Sequence, residues 1–264
     1  MPVTAFQAQL AKLISVNRSP DSYLAGGTAL HFEPQTIRYS NDLDYFHDSE
    51  KRVAEAFEQD QKLLSKNDYT VEIEMHQPGY VRAIVKKKNQ ATKVEWAHDS
   101  AWRFMPPLYF EDRGYTLHPI DLATNKVLAL AGRDEVRDYV DVHDIHQRIL
   151  PLGALCWAAC GKDPGFTPHS LLELLQRRGK YHPEDFNRLQ LNAKLDLVSM
   201  KEAWLKMLQD ARTLIDHLPP DEVGCLYYST LEKKFVTPPL ESRPQTIQPH
   251  YGRVGGILPK VVED

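Results

Sequence analysis

Apolar residues recur in two rhythms along this chain, one close to every third or fourth position and one close to every second. Residues 6–16 carry Phe6, Leu10, Leu13 and Ile14 at helical spacing, and residues 17–21 break that pattern with Ser and Pro. A short apolar stretch over 23–25 ends at Gly26 and Gly27, after which 28–32 can turn into a helix. A strand is expected around 43–46. Residues 49–64 place Val53, Phe57, Leu63 and Leu64 among charges, as a half-buried helix does. Three β-rich runs follow, over 69–76, 80–85 and 92–96, separated by turn residues such as Pro78, Gly79 and Asn89. They predict an antiparallel meander that extends the sheet.

Helices are expected over 119–131 and 135–147, with Pro151 and Gly153 as punctuation. Beyond them apolar positions return at helical intervals through 152–160, 171–175 and 197–218 with no β-rich run between, so a second lobe should be α-helical. From Thr237 onward the chain is rich in Pro, Gly and polar residues, too poor in apolar surface to fold alone. The expected organisation is a core over 1–148, a helical lobe over 149–236 and an irregular tail over 237–264. No internal repeat is visible.

Composition narrows this picture without redirecting it. With 42% hydrophobic and 26% charged residues, the 264-residue chain can bury a core. A net charge of −4 excludes a globally basic polyanion binder, so any nucleic-acid contact must be local. No stretch reaches the ~18 apolar residues of a membrane span. The N-terminus lacks the pattern of a signal peptide. Cys156, Cys160 and Cys225 have no metal-type pairing, which suits buried thiols in a reduced, cytoplasmic setting.

Arg38, Ser40, Asp42 and Asp44 lie two residues apart, so an extended backbone would project all four from one face. Two carboxylates held that close repel unless a cation neutralises them, and hard oxygen donors of this kind suit Mg²⁺. A solvated polar strand edge is the alternative. Gly26 and Gly27, just before a helix start, would aim backbone amides at an anion such as a triphosphate. On its own, a Gly-Gly pair is usually only a tight turn. His143 and His146 gain no further ligand and read as a polar helix face.

Taken together, the segment GGTALHFEPQTIRYSNDLDYF, residues 26–46, resembles the first motif of the DNA-polymerase-β-like nucleotidyltransferases, most closely the AbiEii/AbiGii toxin family. Every element of that pattern is present: Gly-Gly-Thr-Ala-Leu, a short loop, then Arg-x-Ser-x-Asp-hydrophobic-Asp. The resemblance covers residues 20 to about 146. It implies an α+β fold, a polymerase-β-like core of mixed sheet flanked by helices, with a C-terminal α-helical lobe. It also gives Asp42 and Asp44 the role of metal ligands, and Gly26, Gly27, Thr28, Arg38 and Ser40 that of nucleotide-binding residues.

Two-metal phosphoryl transfer calls for a further carboxylate, and Glu95 in the last β-run is the candidate, with an exposed strand glutamate as the alternative. Alternation would put Lys93 and Glu95 on one face and Val94 and Trp96 on the other. The segment 121–130 resembles a later family motif in which a lysine, here Lys126, reaches the nucleotide phosphates. The run Arg137-Asp138-x-x-Asp141 resembles the last motif, in which Asp138 supports catalysis and Asp141 is a weaker candidate. Pairing of Asp138 with Arg133 or Arg137 is the structural alternative.

The implied activity is Mg²⁺- or Mn²⁺-dependent transfer of NMP from an NTP to an acceptor such as the tRNA 3′ end. The implied setting is a toxin–antitoxin or phage-defence system with a cognate antitoxin. A non-catalytic nucleotide-binding partner protein, and a transferase modifying a protein or small molecule, are the competing readings. Arg177, Arg178 and Lys180 form a modest basic cluster in the second lobe, read first as a solvated face.

Overall fold

In a computed structural model, residues 3–32 and 37–260 are described; the first two residues, residues 33–36 within the first motif and the last four residues lie outside them. The chain divides into two compact units, 1–118 with 190–192 and 119–189 with 193–264.

The first unit opens with α1 (Ala5–Ile14), whose start is closed by a reciprocal capping box between Thr4 and Gln7. Next come β1 (Ser22–Ala25), α2 (Gly26–Leu30), β2 (Asp42–His47) and α3 (Glu50–Lys66). They are followed by β3 (Thr70–Gln77), β4 (Tyr80–Lys87) and β5 (Gln90–His98), the expected antiparallel meander. Short strands β6 (Trp102–Arg103), β7 (Leu108–Phe110) and β8 (Gly114–Thr116) end this part of the chain. The principal sheet is mixed, in the order β3-β4-β5-β2-β1-β8-β7, with β2 antiparallel to β1 and parallel to β5.

Period-two alternation sorts the faces of that sheet. Leu43 and Tyr45 of β2, Val81, Ala83 and Val85 of β4, and Val94 and Trp96 of β5 are buried with Leu10, Ile14, Val53, Phe57 and Leu64 from α1 and α3. Beneath them the Asp60 carboxylate is held by Arg18 at 2.6 Å and by Trp96 Nε1 at 2.7 Å, which ties α3 to the sheet. Because one face is committed to this core, Asp42, Asp44, Lys93 and Glu95 are left together on the other.

The second unit contains α4 (Pro119–Arg133), α5 (Val136–Arg148), α6 (Leu152–Lys162), α7 (Pro168–Arg177), the single turn α8 (Pro183–Phe186) and α9 (Leu197–His217). It ends in the short strands β9 (Leu226–Ser229), β10 (Lys234–Val236), β11 (Ile247–His250) and β12 (Arg253–Val254). Residues Leu152 to Cys160 of α6 are all buried, and the helix packs against α4, α7, α9 and β9. A helix apolar all round needs neighbours on every side. Because α4 packs on α6 and α5 packs on α4, both fall with the second unit, and the compact division comes at 118 rather than at the expected 148.

The expected all-helical lobe and irregular tail also differ from the structure, in which β10, β9 and β11 form a three-stranded antiparallel sheet. Strands of three or four residues span less than two full alternations, so no β rhythm is legible in them. All three cysteines are free and buried, and burial pushes Cys160 and Cys225 up to about 12. Among the described residues no helix is long and apolar enough to cross a membrane.

His143 of α5 is buried with its ring 4.7 Å from that of Tyr139 and 5.5 Å from that of Trp204. Burial, aided by neighbouring His146, lowers its pKa to about 4. A histidine depressed on folding takes up protons more readily when unfolded, so its contribution is complete above pH ~6.5 and is lost as pH falls through 4. Urea titrations at pH 7 and pH 4.5 should therefore show an acid loss of stability that His143→Phe reduces.

Candidate functional site

Antiparallel pairing of β1 with β2 sets Ala25 opposite Asp44, so the chain leaves β1 into the glycine turn beside that carboxylate. Gly26 has φ 63°, a left-handed conformation that favours glycine. A Cβ there would overlap the Asp44 carboxylate and lie 2.6 Å from its Cγ. On Gly27 a Cβ would lie 3.0 Å from both Arg38 Nη2 and Ser40 Oγ. The turn and the acidic strand are therefore in direct contact, with hydrogen alone filling the space at Gly26. Gly26→Ala should displace Asp44 and cost about 1–3 kcal/mol in backbone strain. In steady-state assays it should cut transfer strongly; unchanged kcat/KM would contradict this packing.

Only Asp42 and Asp44 of the four aligned residues belong to the strand itself; Arg38 and Ser40 precede it and come in beside Gly27. The Ser40 hydroxyl donates to Asp42 Oδ1 at 3.2 Å, and Thr28 Oγ1 donates to the Asp42 carbonyl. Gln7 Nε2 in turn donates to the Ser40 carbonyl at 3.1 Å. A distant segment completes the brace: Tyr39 N–H donates to the Gln190 carbonyl at 2.8 Å and Asn192 N–H to the Ile37 carbonyl at 3.0 Å. Nothing in the linear sequence marks 190–192 for that role. Since α2 spans just five residues, its free amides and not a macrodipole are what the turn offers an anion.

Parallel pairing of β2 with β5 sets Asp42 beside Lys93 and Asp44 beside Glu95. The Lys93 ammonium lies 3.1 Å from Asp42 Oδ2 and 3.0 Å from Glu95 Oε1, and Arg82 Nε lies 2.9 Å from the same Glu95 oxygen. Burial lowers the Lys93 pKa, but the Asp42 charge and the bonds to Glu95 and Asp42 outweigh it and the net shift is upward. Lys93 and Arg82 are the site residues that sequence reasoning missed. The Lys93-x-Glu95 alternation could have pointed to the lysine, whereas Arg82 depends on cross-strand register.

The Asp42 and Glu95 carboxylates thus share one positive charge, the Lys93 ammonium. Oxygen donors on one face of a sheet fit Mg²⁺ or Mn²⁺, which binds through one or two carboxylates and completes its shell with water and substrate phosphate. Among the described residues no three His, Cys, Asp or Glu side chains meet closely enough to hold an ion. Asp42 and Asp44 are the donors that fit; Glu95 stands next to them with Lys93 as the bridge.

Lys126 and Asp138 lie in the second unit. Lys126 is buried on α4, with its Nζ 3.0 Å from Asp138 Oδ1 and 2.8 Å from Asp141 Oδ2. Arg133 Nε adds a bond of 2.6 Å to Asp138 Oδ2. Spacing of three along α5 turns both aspartates toward α4. Burial raises the Asp138 pKa, but Lys126 and Arg133 pull it down further, and the net shift is downward. Lys126 is therefore not the solvated helix lysine that its sequence context alone would suggest.

The sequence model of the nucleotidyl transferase AbiEii toxins, of type IV toxin–antitoxin systems, matches residues 10–223. This chain belongs to the AbiEii nucleotidyltransferase toxin family. The matched span takes in the glycine turn, the acidic strand, β5 and the Lys126 and Asp138 helices. Family membership makes the chain a nucleotidyltransferase and sets aside the reading as a non-catalytic binding partner. MenT4, a nucleotidyltransferase toxin from Mycobacterium tuberculosis H37Rv, has a similar fold at 15% identity, covering 82% of this chain and 83% of its own, with a TM-score of 0.52. JHP933 from Helicobacter pylori is 17% identical over 80% of this chain and 91% of its own, with a TM-score of 0.49. No curated protein sequence matches this AbiEii chain.

Proposed function

We propose that this AbiEii nucleotidyltransferase moves NMP from an NTP to the 3′ end of tRNA, using Mg²⁺ or Mn²⁺ held by Asp42 and Asp44. The observation that carries the reading is the contact of Gly26 with the Asp44 carboxylate, which makes phosphate-binding turn and metal-binding strand one construction. When bound, the metal would supply charge stabilisation to the reacting phosphoryl oxygens.

The remaining work falls to side chains and amides of the chain. Amides of the Gly26–Gly27 turn, with Ser40 and Arg38 beside them, orient the phosphates. Thr28 fixes the backbone at Asp42. Glu95 is the third carboxylate, and Lys93 balances its charge. Lys126 takes the phosphate-facing role that the motif resemblance implies, and Asp138 is the carboxylate that holds it. The acceptor hydroxyl oxygen bonds to the α-phosphorus as pyrophosphate departs, so catalysis is mainly positioning and electrostatics. Membership in a type IV toxin–antitoxin family supports a cognate antitoxin as partner. Three buried free thiols support a reduced, cytoplasmic setting.

Incubating the protein with each α-labelled NTP, Mg²⁺ and total tRNA, beside a protein-only control, tests this. Label entering tRNA is the expected result. Label in protein alone would overturn the acceptor, and no label in any fraction with any NTP would overturn the reading.

A further inference from the structure

In the second unit α7 and α9 pack side by side and leave a groove of about 510 Å³ along their outer edges. A smaller hollow of about 280 Å³ shares Leu205, Leu208 and Arg212 with it, so the two form one furrow. From α9 the groove takes Lys201, Leu205, Leu208 and Arg212, spaced to lie on one helical face. The α7 side supplies Arg177 and, just past its end, Lys180.

Four cations line this furrow against one carboxylate, Glu173, in a chain whose net charge is −4. Most neighbouring charges are already matched: Lys206 pairs with Asp210, Arg188 with Asp185 and Arg178 with Asp134. The side chains of Arg177, Lys180 and Arg212 are in no hydrogen bond or ion pair among the described residues. The structure thereby redraws the basic cluster visible in the sequence. Arg178 leaves it, bonded to Asp134 and the Ala131 carbonyl, while Lys201 and Arg212 join from a helix more than twenty residues away.

Trp204 also borders the groove, its ring buried against Tyr139 and His143. Leu205 stands 57% exposed on the groove wall. The four cations are solvent-exposed, so their charge is open to an anionic ligand that lies along the apolar strip.

We propose that this furrow binds the phosphodiester backbone of the acceptor nucleic acid. Both walls are helices whose backbone groups are already paired, so they offer an extended acidic peptide no main-chain partners. Recognition falls to side-chain charge, which suits a ligand with one negative charge per residue, while Leu205 and Leu208 give the sugars an apolar floor. Only the word acceptor rests on the function proposed above; the anion-binding surface stands on its own charges.

The test is fluorescence anisotropy of labelled tRNA with the full chain over a series of salt concentrations. The variants are Arg177→Gln/Lys180→Gln/Arg212→Gln, Glu173→Lys and Asp42→Asn/Asp44→Asn, with folding checked by circular dichroism. The triple variant should bind at least tenfold more weakly and lower the slope of log K on log salt by about 2–3, at ~0.7–0.9 for each phosphate no longer neutralised. Glu173→Lys, an exposed change, should tighten binding. The aspartate pair should leave RNA affinity as it is.

Unchanged affinity and slope in the triple variant would overturn the proposal, as would failure of Glu173→Lys to tighten. So would a poly-glutamate peptide that displaces tRNA at lower charge concentration than tRNA displaces it. If groove binding holds but label never reaches RNA in the transfer assay, the acceptor assignment fails by itself and the surface remains.

Discussion

Asp42→Asn and Asp44→Asn should each lower NMP transfer by about 10³-fold or more while leaving the chain folded. Loss of a metal-binding carboxylate removes several kcal/mol of charge stabilisation, and about 4 kcal/mol corresponds to three powers of ten in rate. Stability should survive because the partner Lys93 ammonium is 31% exposed and keeps Glu95 at 3.0 Å, so no charge is stranded in the core. Single-turnover assays with saturating NTP would locate the loss in the chemical step. Transfer within tenfold of the parent chain would contradict the role of these residues.

Lys126→Met should be costly in a different way. Asp138 and Asp141 are fully buried, and the lysine is the cation between them. Removing it leaves Asp141 without the 2.8 Å ion pair and Asp138 with Arg133, so about 3–5 kcal/mol of stability should be lost. The Asp138 pKa is lowered in the folded chain, so its contribution is present above the ordinary carboxylate range and fades as pH falls. Lys126→Met should therefore show less acid sensitivity as well as a lower urea midpoint. The triple change Lys126→Met/Asp138→Asn/Asp141→Asn, which removes every charge of the cluster but Arg133, should recover part of the loss. A Lys126→Met chain as stable as the parent would show that the cluster carries little weight.

The acidic strand and glycine turn were legible because their chemistry is local. Alternation alone puts Asp42 and Asp44 on one face, and the Gly-Gly pair marks the turn out of β1 at which Gly26 takes its positive φ. Register was not legible. No one-dimensional pattern states that Lys93 would bridge Asp42 and Glu95, or that Gln190 and Asn192 would bond the backbone around Tyr39. Burial of the α4 lysine was not legible either, because burial of a charge depends on what the next helix brings. Here α5 brings two aspartates three residues apart. The placement of α4 followed the same logic, since an all-apolar α6 needs helices to cover it, and α5 comes with α4, on which it packs.

Isothermal titration of Mn²⁺ into the chain with a non-hydrolysable NTP analogue reads the metal site without relying on the acceptor. The parent chain should bind the ion in a nucleotide-dependent manner, and Asp42→Asn/Asp44→Asn should abolish that binding with its circular dichroism unchanged. Equal Mn²⁺ affinity in the two proteins would contradict the assignment of the metal site to this strand.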